Sequence, residues 1–138
     1  MKRIAGICLI LALLCGPALA AGPVLIVNPG VNIDSLDSKT IRYIFLGKKT
    51  SWDGGMRVIP VALEGGPVHK EFLKTYVRQT PSQFSTHWKR MTFTGKAEEI
   101  KTFQSEADLT QFVATQPGAV GYVGDTAPAI GVKVVPVE

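Results

Sequence analysis

From Val58 to Leu63 every residue is apolar, and the chain then turns through Glu64-Gly65-Gly66-Pro67 into a stretch with apolar residues at helical spacing. A strand without polar alternation is covered on both faces, which calls for helices on either side of a sheet. The glycine pair supplies backbone conformations closed to other residues, and Pro67 suits a first helical turn, where a missing N–H costs nothing. Free N–H groups at such a helix start attract anions, with the helix dipole assisting. The same residues also make an ordinary strand-to-helix turn, so both readings stand at this point.

The rest of the chain repeats the alternation. Val24 to Val27 reads as a buried strand closed by Asn28-Pro29-Gly30, and Ala119 to Val123 as a second one with small residues at a close approach. Val132 to Val137 is a last strand, and Pro136 assigns it to a sheet edge. Asp34 to Asp37 offers caps for a helix burying Ile41, Ile44, Phe45 and Leu46 and stopped by Gly47, with Lys48 and Lys49 as charges at its end. After Pro67, Val68, Phe72, Tyr76 and Val77 form the expected core stripe, leaving His69, Lys70 and Lys74 on the solvated side. Thr80-Pro81 starts a helix carrying Phe84, Trp88 and Met91, and Thr92 to Lys96 leaves it as a loop whose hydroxyls, glycine and lysine can face a cleft. Ser105-x-x-Asp108 is a capping box before Leu109, Phe112 and Val113, and Pro117-Gly118 ends that helix. No internal repeat or low-complexity linker interrupts the pattern, so one α/β domain is expected.

Residues 1–20 have the pattern of a cleaved signal peptide: a basic start at Lys2-Arg3, an apolar run from Ile7 to Leu14, and small residues at Ala18 and Ala20. The apolar run is too short for the roughly 20 residues that span a bilayer. Cleavage leaves the domain at residues 21–138 without Cys8 and Cys15, which excludes disulfides, thiolate chemistry and cysteine-bound metal from the exported form. It also lowers the formal charge from +4 to +2, too small a surplus to argue for nucleic acid. No nucleophile elbow, phosphate-cradling Walker loop, dinucleotide fingerprint or zinc helix is present. His69 and His87 lie on separate predicted helices, so no metal site, cofactor or catalytic residue is expected, and the protein is not read as an enzyme.

Taken together, Ile44-Phe45-Leu46-Gly47-Lys48 with Trp52, Pro60-Val61, Gly65-Gly66, Phe72, Phe84-x-x-x-Trp88, Phe93-Thr94-Gly95-Lys96 and Gly118-Ala119-Val120-Gly121-Tyr122 resemble the periplasmic substrate-binding components of phosphate ABC transporters. The resemblance implies a type II periplasmic binding-protein fold, in which two α/β lobes close on a ligand. This chain is about half that size, so the implied architecture is a single lobe: a mixed sheet with helices on both faces. The resemblance also implies a periplasmic location. Carried over residue by residue, Glu64 falls on the family's acidic position and Gly65 on a glycine. Gly66 stands in place of a serine, Val68 of a threonine and Ala62 of an arginine. The implied ligand site is therefore Glu64, Gly65, Gly66, Val68, His69 and Lys70 with Thr94, Gly95 and Lys96. In it, backbone N–H groups take the place of lost hydroxyls, and Lys70 or Lys96 that of the arginine's charge.

Two functions follow from these residues. One is an exported solute-binding module that takes phosphate or another small anion and serves an ABC transporter. The other is an envelope interaction or scaffold protein that keeps the lobe without its solute, with another envelope protein or a second copy as partner. A homodimer would cover apolar surface that a second lobe otherwise covers.

Overall fold

The structure is a computed structural model that describes residues 22–138; the predicted signal peptide lies outside the described residues. Its sheet is built from β1 (Val24–Val27), β2 (Ile59–Leu63), β3 (Lys101–Phe103), β4 (Ala119–Val123) and β5 (Lys133–Val135), in the order β3-β2-β4-β1-β5. β2 runs parallel to both β3 and β4, whereas β1 runs antiparallel to β4 and β5. The helices are α1 (Ser38–Phe45), α2 (Pro67–Phe72), α3 (Pro81–Phe93) and α4 (Glu106–Thr115), and α2 continues into a π-helical turn, Leu73–Val77. This is the mixed sheet with helices on both faces that the sequence implies.

The two faces separate at neighbouring residues of β4, because successive side chains of a strand point opposite ways. At Gly121 a Cβ would stand 2.7 Å from Leu109 and 3.1 Å from Val61, so the glycine lets α4 lie against the sheet. Tyr122 points to the other face. Its ring stacks on Phe72 with centroids 3.8 Å apart and meets Phe45 edge-on at 5.8 Å. All five residues of β4 are buried, which accounts for the apolar run without alternation.

Pro60 sits within β2, where a central strand normally excludes proline. Ile59 donates its N–H to Gly118 on the β4 side, and pairing with β3 begins only at Val61. The missing donor of Pro60 thus falls where no strand requires it.

Helix ends follow local chemistry. Asp37 caps α1 by accepting from the Thr40 N–H at 2.7 Å, and Thr80 and Gln83 form a reciprocal capping box on α3. α3 runs to Phe93, so Thr92 and Phe93 belong to the helix and not to the loop that the sequence suggests. The segment Thr94-Gly95-Lys96 closes it: Gly95 has φ 74°, and the Lys96 N–H reaches back to the Met91 carbonyl at 2.9 Å.

β3 has no counterpart in the sequence reading. It is a three-residue edge strand whose Lys101 and Thr102 are exposed, and it carries too little apolar pattern to be seen. A second correction concerns His69, which is not on a solvated side but 5% exposed. Phe72, Leu73 and Val77 are buried at i+3, i+4 and i+8 from it, so the core stripe of this segment passes through the imidazole.

Candidate functional site

A cleft of about 540 Å³ opens beside the carboxyl end of β2, between the sheet and α3. Its position follows from chain order. Leu63 and Glu64 lie at the end of β2, the Gly65-Gly66 turn leads into α2 with His69, and α3 follows, each of the three contributing residues to the lining. Phe84, Trp88, Phe93 and Ile100 supply its apolar walls. Ser85, Thr92 and Thr102 contribute hydroxyls, Lys89 an ammonium, and Glu64 and Glu99 carboxylates.

The floor is held by a hydrogen-bonded chain. The Leu63 N–H donates to the Tyr122 hydroxyl at 3.0 Å, and that hydroxyl is bonded in turn to Nδ1 of His69. Burial raises the Tyr122 pKa, with the Leu63 hydrogen bond opposing it in part, so the phenol keeps its proton. Burial also pushes the His69 pKa below its ordinary 6.5, so the imidazole is neutral at pH 7. The oxygen of Tyr122 accepts from Leu63, and because Nδ1 is the one acceptor bonded to that hydroxyl among the described residues, the phenol proton is assigned to it. The proton of the neutral ring is then on Nε2, which makes no hydrogen bond among the described residues. His69 thus lines the cleft with its Nδ1 committed to Tyr122 and its Nε2–H left for another partner.

Trp88 has both a structural and a cleft-facing role. Its indole N–H donates to the Phe45 carbonyl at 2.9 Å, which ties α3 to the end of α1, and its ring meets Phe84 edge-on at 6.4 Å.

The residues expected to form the ligand site are spread over several places. Glu64 and His69 line the cleft. Gly65 and Gly66 form the exposed turn, and Gly66 is the N-cap of α2, at φ 93° and without a side-chain cap. Val68 packs toward Gly124, where a Cβ would lie 3.3 Å from its methyl group. Lys70 lines a separate shallow groove with Lys74 and Arg78. Thr94 and Gly95 belong to the end of α3, where the Thr94 hydroxyl donates to the Arg90 carbonyl at 2.8 Å. Lys96 lines a second cleft, of about 370 Å³, that shares Trp88, Glu99 and Ile100 with the first. Glu64, Lys70 and Lys96 thus line three different cavities.

Ser85, Lys89, Thr92 and Thr102 line the first cleft; of these the sequence offered only the Thr92 hydroxyl to a cleft, and from a loop, not from α3. A signal existed for three of them. Ser85, Lys89 and Thr92 stand at i, i+4 and i+7 along α3, directly after the buried Phe84 and Trp88. Thr102 is on β3, so no helical spacing marks it. No group of acidic, histidine or cysteine side chains among the described residues is placed to hold a metal ion.

No protein-family model and no curated protein matches the chain. Solved structures do. The chain is similar to a phosphate ABC transporter substrate-binding protein from Clostridium perfringens, solved with bound phosphate, at 18% identity and a TM-score of 0.66; the match covers 84% of this chain and 44% of that one. It is similar to PstS from Borrelia burgdorferi at 15% identity and a TM-score of 0.63, covering 85% and 47%. An ABC-type phosphate transport receptor from Vibrio cholerae matches at 15% identity and a TM-score of 0.57, covering 84% and 46%. The chain thus spans less than half the length of each, and at these identities the likeness is one of fold. The mixed α/β architecture of this chain matches part of the fold of these phosphate-transport proteins.

Proposed function

We propose that this protein is an exported, non-catalytic solute-binding protein of the phosphate-binding type, reduced to one lobe, which takes a small anion such as phosphate beside the carboxyl end of β2. The observation that carries this is the cleft itself, which His69, Lys89 and the hydroxyls of Ser85, Thr92 and Thr102 line together at the carboxyl end of β2. Sheets of this kind place ligands beyond the carboxyl ends of their strands, and the glycine turn after β2 keeps that end open. The neighbours in fold are transport proteins, which supports a binding role over a catalytic one and an ABC transporter as the downstream partner.

Isothermal titration of the purified protein with phosphate, and with sulfate as control, tests this. Saturable heat is expected, and Ser85→Glu, which adds a carboxylate on the exposed face of α3 inside the cleft, should abolish it. No heat from the folded protein rejects phosphate as the ligand.

The second function, an envelope interaction protein, is favoured by one observation. Phe93 at the cleft wall is 93% exposed, which leaves an aromatic ring for a partner to cover. Light scattering that shows a dimer, dissolved by Phe93→Glu, would support it; a monomer mass at working concentrations would reject self-association.

A further inference from the structure

The charge of the molecule is divided between the two faces of its sheet. α1 and α2 pack on the face to which Tyr122 points, through Phe45 and Phe72, whereas α4 packs on the other, against Gly121. From Asp37 to Lys48 and from Gly66 to Arg78, the stretches that carry α1 and α2, the basic residues are Lys39, Arg42, Lys48, Lys70, Lys74 and Arg78, and the acidic ones are Asp37 and Glu71. α4 carries Glu106 and Asp108 and no basic residue. One helical layer is therefore markedly positive, although the whole chain carries only +4.

Half of this charge is gathered at one point. Lys39 Nζ, Arg42 Cζ and Lys48 Nζ stand 5.7, 5.9 and 5.7 Å from the centroid of the half-buried Tyr43 ring. These spacings are shorter than the ~8 Å over which physiological salt screens a charge, so an approaching anion meets the three together. Among the described residues, none of the six cations makes an ion pair. The two acids serve the helices instead: Asp37 caps Thr40, and Glu71 accepts from the Thr75 hydroxyl at 3.2 Å. α1 packs beside the π-helical turn that carries Lys74, and Lys70, Lys74 and Arg78 line a shallow groove that does not include the Tyr43 cluster.

That arrangement selects the partner. A small soluble anion needs donors that converge, and a folded acidic protein needs a matching relief. A plane of lipid phosphates meets separated cations at once, each adding to its affinity, and a tyrosine among them suits the level of the headgroups. We propose that the outer surface of α1 and α2, centred on Lys39, Arg42, Tyr43 and Lys48, binds an anionic phospholipid surface. None of these residues lines the cleft over His69, so the proposal stands or falls apart from the solute-binding reading.

Sedimentation of the purified protein with vesicles of equal parts phosphatidylglycerol and phosphatidylcholine, and with phosphatidylcholine vesicles as the neutral case, tests this. The protein is expected to pellet with the anionic vesicles, to stay in solution with the neutral ones, and to be released by high salt. A cation that reaches an anionic surface is worth about fivefold in affinity, so Lys39→Gln combined with Lys48→Gln should weaken binding about thirtyfold. Lys96→Gln combined with Lys101→Gln removes the same charge beside the second cleft and β3, and should leave binding nearly unchanged. All four lysines are exposed, so both variants keep the fold. No pelleting with anionic vesicles, equal pelleting with neutral ones, or equal weakening by the two pairs of substitutions overturns the proposal. A protein that ignores the vesicles but is retained on immobilised polyglutamate assigns the surface to an acidic protein segment and overturns it as well.

Discussion

Tyr122 is the residue on which fold and site meet. Its ring stacks on Phe72 in the core while its hydroxyl joins the Leu63 amide to the His69 imidazole. Tyr122→Phe keeps the ring and removes the link, leaving a buried N–H without an acceptor. The expected loss is about 1–3 kcal/mol of folding stability in urea unfolding, and weaker ligand binding should accompany it because Nε2–H is no longer imposed. His69 supplies a pH signature. Its folded pKa lies below 6.5, so on acidification the unfolded chain takes up the proton first. Stability should be level above about pH 6.5 and fall as the pH drops below it, and His69→Gln should flatten that fall. The Asp37 carboxyl, lowered from 3.8 mainly by its hydrogen bond to Thr40, loses its contribution only in more acid solution, so the two windows are separable in a series of urea midpoints. The sequence placed His69 on a solvated face because charged Lys70 follows it and a core histidine needs a partner to be credible. That partner, Tyr122, is 53 residues away.

Elements were legible where one local rule governs them. The Asp37 cap, the Thr80-Pro81 start, the Gly47 stop and the edge position of the last strand all follow from residues within a few positions of each other. Thr80→Ala should therefore cost about 1 kcal/mol, the usual worth of an N-cap, measurable as a shift in urea midpoint at unchanged slope. β3 was not legible, because it exists through pairing with β2 and not through its own pattern. Thr94-Gly95-Lys96 shows the reverse. A glycine flanked by polar residues suits both a ligand loop and a helix stop, and the Lys96-to-Met91 bond shows that it makes the stop. Gly118 is the most constrained position between elements: a Cβ there would stand 2.0 Å from the Arg57 carbonyl oxygen, and its φ is 80°. Gly118→Ala should cost about 3 kcal/mol or more, since both the contact and the backbone conformation oppose it. The effect would appear as a lowered midpoint or as failure to fold.

At the scale of the molecule, the alternation of apolar strands and capped helices made the α/β class readable from the sequence, whereas the composition of the cleft was not. Its lining comes from the end of β2, from α2, from α3 and from the residues around β3, segments brought together only by the crossover order of the sheet. The central claim is that this cleft, and not another cavity, receives the solute. Amide shift mapping during a phosphate titration of isotopically labelled protein tests it most directly. The account predicts saturable shifts confined to Glu64–His69, Ser85–Phe93 and Glu99–Thr102. Saturable shifts centred on the groove of Lys70, Lys74 and Arg78, or none while the spectrum remains that of a folded protein, would contradict it.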